Sequence, residues 1–319
     1  MSLKYGNEQF VQIWKEDVFN TILDDYSSRG VQLDCVMNPK PKYKAINVKS
    51  DNMRVSKNPY NTQQGLRSDS VTLSGVFTEE AKLLFEGFAK KTSGHYYVDT
   101  VPFGQATSFQ IFRTGINETY KTEMCRGATL TSFSLKFSGS TSTFTAKFDC
   151  FYSDNRTISS LTGFTLPVLP ESKEVYLVSE MSAVSLFNGQ YTDFISMDLN
   201  IKVKHINSKY LYNNSNEIEN PLIEEITGDF NYSVMQDEWD VGYAEYINDP
   251  SRYDTIGNSI FQINNTGAGS TKDYRFYING VISSITKPDP DKGVFTMKVS
   301  ENIAGIGSDY ALKIIQQWT

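Results

Sequence analysis

The side chains able to do chemistry are few and scattered along the chain. Two adjacent carboxylate pairs, Glu79–Glu80 and Glu224–Glu225, are the residue types that cleave glycosidic bonds. Glu79 and Glu80, however, open a helical pattern, where negative charge complements the positive helix end. Glu224 and Glu225 begin a strand pattern, so neighbours face opposite ways. A pair of acids brought together from distant strands stays open as an enzymatic alternative. The two histidines, His95 and His205, have no Cys, Asp or Glu at metal-ligand spacing. Cys35, Cys125 and Cys150 are widely spaced and odd in number, which predicts thiols in a reducing compartment rather than a disulfide framework. A catalytic cysteine would also need a partner histidine. The sequence holds no G-x-S-x-G elbow, Walker A loop or H-E-x-x-H helix. Gly305–Tyr310 (GIGSDY) only begins a dinucleotide fingerprint, and Asp289–Gly293 (DPDKG) reads as a turn rather than a calcium loop. The expectation is a protein that is not an enzyme, with no cofactor and no metal.

Bulk properties narrow the class further. A net charge of −7 and a pI near 5.1 argue against ordinary nucleic-acid binding, which needs clustered Lys and Arg. The basic stretch Lys40–Lys49 is too short to reverse that. No run of 18 apolar residues occurs, so no helical membrane span is expected. The first residues lack a basic region followed by an apolar one, the pattern of a secretory leader. At 319 residues, the chain exceeds what one core usually fills, and 20 Phe and 19 Tyr favour strands.

The chain also resembles itself. FQIFRTG (Phe109–Gly115) matches FQINNTG (Phe261–Gly267), and Thr131-Ser132-Phe133 falls opposite Ser283-Ser284-Ile285. FTAK (Phe144–Lys147) matches FTMK (Phe295–Lys298), and LSGVF (Leu73–Phe77) matches ITGDF (Ile226–Phe230). Ordered matches at nearly constant spacing predict one fold written twice. The expected boundaries are 1–155 and 175–319, joined by a Pro- and Ser-containing linker, 156–174.

The matched blocks alternate as strands do. Phe144, Ala146, Phe148 and Cys150 share one face, Thr145, Lys147 and Asp149 the other; Phe133, Leu135 and Phe137 form a second stripe. A single segment has helical spacing: Ala81, Leu84, Phe85, Phe88 and Ala89, with Thr78 as cap, Lys90 and Lys91 at the C-terminal end and Gly94 as stop. Trp239, Tyr243, Tyr246 and Ile247 form a weaker counterpart. The expected fold is mainly β, a sandwich or barrel with a flanking helix per domain, in two tandem copies. Each copy carries a long polar stretch, Lys57–Ser70 and Tyr212–Asn220. Long loops in compact domains usually have a function. Pro59, Tyr60, Asn61, Gln63, Gln64, Gly65, Arg67, Asn213, Asn214 and Asn216 lie in or beside these stretches and are the candidate functional residues.

This layout of strand, polar loop, φ-x-G-x-F block, helix and paired strands resembles bacteriophage tail tube proteins. Phe10–Thr21 (FVQIWKEDVFNT) is similar to the opening motif of one such family, carried here by Lys15 and Glu16, with Trp14 in place of the usual Gly. The resemblance implies rings whose inner strands merge into one barrel, stacked as a conduit for viral DNA, with the candidate residues of the two polar stretches reaching neighbouring subunits or the next ring. A doubled unit then implies three chains per ring with pseudo-sixfold symmetry. It implies self-association and contacts with tape measure, tail terminator and baseplate proteins, and with a sheath if the tail contracts. Double-stranded DNA would pass without specific binding, and no membrane is involved. The location implied is the virion tail, assembled in the host bacterial cytoplasm. Two other readings stay open: a two-domain β-sandwich binding or adhesion module, and a baseplate hub or distal tail protein of the same fold.

Overall fold

The computed structural model describes residues 9–21, 30–48, 61–67, 69–98, 104–115, 122–138, 141–156, 181–185, 194–206, 221–235, 256–265, 272–286, 296–304 and 310–318. The fold is mostly antiparallel β, as the alternating pattern predicts. The first half contributes β1 (Gln9–Lys15), β2 (Val31–Leu33), β3 (Cys35–Lys40), β4 (Tyr43–Val48), β5 (Asn61–Arg67), β6 (Asp69–Val76), β7 (Lys90–Thr92), β8 (His95–Val98), β9 (Ser108–Gly115), β10 (Thr122–Ser138) and β11 (Thr141–Arg156). The second contributes β12 (Met181–Ser185), β13 (Phe194–Ile206), β14 (Leu222–Met235), β15 (Gly257–Asn265), β16 (Lys272–Thr286), β17 (Thr296–Ile303) and β18 (Leu312–Trp318).

The same pairing order occurs in both halves. The first half runs β1-β9-β10-β11-β6-β3 and the second β12-β15-β16-β17-β14-β13. Two bulges recur as well. β10 slips against β11 between Leu130 and Ser132, and β16 slips against β17 between Ile282 and Ser284. At each slip a hydroxyl bonds the facing strand's backbone: Thr131 Oγ1 donates to the Lys147 carbonyl and Ser283 Oγ to the Ser300 carbonyl, both at 3.0 Å. The second bulge lies in the β4–β5 hairpin between Tyr43 and Ala45, and in the β13–β14 hairpin between Lys204 and His205.

Counted from these bulges, the halves correspond differently from the sequence matches. Thr131 and Ser283 hold one place, as the sequence suggests. Phe144, however, corresponds to Met297 rather than Phe295, and Leu73 to Tyr232 rather than Ile226. Phe109 opposes Ala128, whereas Phe261 opposes Phe276, four residues short of the corresponding Gly280.

The halves are stitched together by strands. β13 pairs β10 along Ser132–Phe137, and β18 pairs β8. The Ala106 N–H donates to the Pro221 carbonyl, 2.8 Å, and the Ile223 N–H to the Gly104 carbonyl, 3.0 Å. Eight strands therefore run edge to edge in the order β3-β6-β11-β10-β13-β14-β17-β16.

A 3₁₀ helix, Glu79–Gly87, lies on the apolar side of this array. The residues picked out by their spacing, Ala81, Leu84, Phe85, Phe88 and Ala89, are all buried. Phe85 meets Phe133 of β10 at 5.6 Å and Phe276 of β16 at 6.2 Å; Phe77 meets Phe137 and Tyr274. One helix from the first half thus packs across both halves. Its ends differ from expectation. Thr78 makes no side-chain cap, and its hydroxyl is buried without a hydrogen-bond partner. The helix stops at Gly87, and Lys90 and Lys91 lie in β7. Gly94, with Ser93, forms a two-residue hairpin turn in which both φ values are positive (51° and 82°), the geometry that twisted strands favour. The weaker helical counterpart, Trp239–Ile247, lies outside the described residues, as do most of the expected linker and the GIGSDY and DPDKG turns.

Candidate assembly surfaces

The opening motif is a structural anchor. β10 bulges against β9 between Cys125 and Ala128, which takes Gly127 out of the ladder, and Gly127 has φ 55°. A buried N–H released in this way needs another acceptor. The Glu16 carboxylate supplies it at 2.8 Å and also accepts from the Asn20 N–H at 2.8 Å. Burial pushes the Glu16 pKa up, against bonds from Ser108, Gly127, Asn20 and Gln110 that hold it down. Lys15 turns outward to Glu86 of the helix at 2.9 Å, and Trp14 stacks on Phe112, centroids 4.2 Å apart. The motif therefore ties β1 to β9, β10 and the helix.

The eight-strand array has one apolar and one polar face. Along the polar face lie Asn38 and Lys40 of β3, Ser70, Thr72 and Ser74 of β6, and Thr143, Thr145, Lys147 and Asp149 of β11. It continues through Ser132, Ser134 and Lys136 of β10 and Asp198, Asn200 and Lys202 of β13. It then reaches Thr227, Asp229 and Asn231 of β14 and Lys298, Ser300 and Asn302 of β17. Lysines and carboxylates are interspersed on it. Lys136 reaches Asp198 across the internal junction at 4.0 Å; Asn200 and Asn231 both donate to Asp229, at 2.9 and 2.7 Å. Burial raises the Asp198 pKa; Lys136 lowers it and Asp229 raises it. Glu224 is the extra residue of the β14 bulge and pairs with Lys204 at 3.1 Å, an exposed ion pair rather than half of an acid–base pair.

The two ends of the array are strand edges. Gly280 pairs with both Gly257 and Ile303, so β15 and β17 lie on opposite sides of β16. Beyond Gly280, the β15 side of β16 has no partner strand among the described residues. The corresponding side of β10 holds β13. At the far end β3 pairs with β6 alone among the described residues.

The expected polar loop is partly strand. Asn61, Gln63, Gln64, Gly65 and Arg67 form β5, paired with β4 as a two-stranded extension of the β3–β6 pair. Polar residues in alternating order read as loop in the sequence because neither face is apolar. Pro59, Tyr60, Asn213, Asn214 and Asn216 lie outside the described residues. The stretches 49–60 and 207–220 still occupy matching places, each between the two strands of a bulged hairpin.

Other chemistry-bearing residues are structural where described. Cys125 and Cys150 are buried neighbours, no cysteine is in a disulfide, and the Cys150 thiol is pushed well up by its bond with Cys125 and by burial. His205 has its pKa lowered by burial. Glu301 was not anticipated. It is fully buried, accepts from Ser259 Oγ at 2.9 Å, and is raised to about 7 by burial, against bonds from Ser259 and Tyr232. It corresponds to Phe148 in the first half, and the alternation through Met297 and Val299, carried on by two residues, is the sequence signal that places it on the inward face.

A family model described as phage tail tube protein matches residues 6–203. The chain belongs to the phage tail tube protein family. No curated protein matches the chain. The match includes the anchoring motif at Lys15 and Glu16, every strand of the first half, and the second half through β12 and β13 as far as Val203. Membership makes the chain a structural subunit of a phage tail tube and a component of the virion tail. The family is one of structural tail proteins, not of enzymes, and it implies self-assembly and association with other tail components.

Proposed function

We propose that three copies of this tail tube protein close into a ring with pseudo-sixfold symmetry, and that rings stack into a hollow conduit for DNA ejection. The observation that carries this reading is the repeated ladder: one strand order and two bulges, each occurring twice, with the halves joined by β10–β13. This repetition supports a tandem duplication with domains near 1–155 and 175–319. Each half supplies four strands to the array, so three chains supply about 24 strands to a closed barrel without edges.

The polar face lines the lumen. Its interspersed lysines and carboxylates present no single-sign field to grip phosphates, so DNA slides without specific binding. The hairpin ends near Pro59, Tyr60 and Asn61–Arg67, and near Asn213, Asn214 and Asn216, reach neighbouring subunits or the next ring. Assembly in the host cytoplasm and contacts with tape measure, terminator and baseplate proteins complete the reading. Negative-stain microscopy with light-scattering mass over a range of concentrations tests it. Hollow tubes are the expected result. Single rings that never stack would favour a baseplate hub, and a monomer at every concentration would reject the ring.

A further inference from the structure

We propose that chains join in the ring by seating the edge of β16 at Val281–Thr286, which has no partner strand among the described residues, on the outer edge of β3 of a second copy. We also propose that Pro39 and Pro41 make this seam weaker than the junction inside the chain. The inference rests on the ring reading above and names the surfaces that the ring would use.

The internal junction is the template. β13 lies on the β9 side of β10, where Phe133, Leu135 and Phe137 oppose Ile201, Leu199 and Met197. The matching side of β16 begins at Val281, and tracing through the shared bulges places β3 where β13 stands. Met37, Pro39 and Pro41 then take the places of Met197, Leu199 and Ile201. Ile285, partly buried and packed on the core, takes that of Phe133.

The alternation of hydrogen bonds decides what the β3 edge offers. The Val76 N–H donates to the Asp34 carbonyl at 3.0 Å in the same register as β3–β6. Val36, Asn38 and Lys40 therefore bond inward to β6, and Met37 and Pro39 turn their backbone groups outward, with Pro41 next in the series. Two successive outward positions thus lack a donor. The Met37 carbonyl is already taken by Arg113 Nη1 at 2.9 Å. Proline and charged capping are devices that keep a strand edge from pairing indiscriminately. The edge facing β10 inside the chain has Leu and Ile instead, because that junction forms once, during folding. The β3 edge must stay unpaired until assembly.

The seam places Thr286 opposite Lys40, as Ser134 lies opposite Asn200. This is the closer, non-hydrogen-bonded kind of pair, with Cα atoms about 4.5 Å apart, within reach of a disulfide. The test is the Lys40→Cys, Thr286→Cys double variant, oxidised under assembling conditions and run on a non-reducing gel, with microscopy of the same sample. Covalent dimers and trimers, absent from either single variant, are expected. Tubes or rings with only monomer bands would overturn the seam and leave the ring standing. Neither assemblies nor cross-links at any concentration would overturn both. For the guard role, Pro39→Leu with Pro41→Ile should lower the protein concentration needed for assembly at least tenfold. An unchanged or higher threshold would overturn it.

Discussion

The two halves share a ladder but differ where their cores meet the strand after the bulge. In the first half that position is Phe148, which packs edge-on against Phe109 at 5.9 Å. In the second it is Glu301, enclosed with Ser259 and Tyr232 and adjoining Gly280, where even a Cβ would lie 3.0 Å from its carboxylate. The strand itself also differs. β11 runs unbroken along β10, whereas its counterpart is split into β17 and β18, and β18 accepts β8 from the first half. The first half thus has an aromatic contact at this place and keeps its buried acid, Glu16, at the β9–β10 bulge. The second half has its buried acid, Glu301, at this place, and it also pairs with β8 and packs against Phe85 of the first half. On the proposed ring reading, the two units need to keep the ladder, which sets ring closure, but not the packing behind it.

The largest effect should come from the apolar side of this comparison. Phe148→Ala removes a fully buried ring and should cost about 3–5 kcal/mol, read by denaturant unfolding. The same measurement on Glu16→Ala should show a loss of about 2–4 kcal/mol, because the Gly127 and Asn20 N–H groups lose their acceptor. Glu301→Gln tests the polar side through pH. The folded pKa of about 7 lies above the ordinary 4.5, so the folded state holds a proton that the unfolded chain releases earlier. Its contribution is fully present below pH 4.5 and is lost as pH rises through 7, a fall of about 3 kcal/mol by pH 8. Glutamine keeps an acceptor for Ser259 without the charge. The variant should therefore lose that part of the pH dependence, and an unchanged slope would show that Glu301 is not the buried acid described. Thr131→Val and Ser283→Ala should each cost about 1 kcal/mol, equally, since both remove the same hydroxyl bond at corresponding bulges. Unequal losses would mean that the bulges are not counterparts. The smallest effect is expected for Lys136→Ala, under about 0.5 kcal/mol, since its ion pair with Asp198 is long and half exposed.

What the sequence made legible follows from the two-residue period of a strand. The inward face of β10 and β11 was readable from Phe133, Leu135, Phe137, Phe144, Ala146 and Phe148, and all of these are buried. Register was not readable. Phe144 matches Met297 and not Phe295, Leu73 matches Tyr232 and not Ile226, and Phe109 and Phe261 stand four residues apart in their ladders. Each displacement is even, so every residue stays on its proper face. Alternation fixes the face of a strand, while the bulges and turns fix its register. The helix was legible from its apolar spacing, but not its tight winding or its end, because Gly94 serves the Ser93–Gly94 hairpin turn and not a helix stop. β5 was missed because the residues Asn61–Arg67 have no apolar face to alternate. Glu16 was seen as a motif residue, but its work, holding the N–H that a bulge releases, depends on Gly127, 111 residues away.

The central claim is that one chain supplies two of six like units in a ring. Mass per unit length of assembled tubes, measured by scanning transmission electron microscopy and multiplied by the axial repeat, gives the mass of one ring and tests it most directly. The account predicts three chains of 36.1 kDa per ring. Six chains per ring would contradict it, because each chain would then count as a single unit and the repeated ladder would have no role in closure.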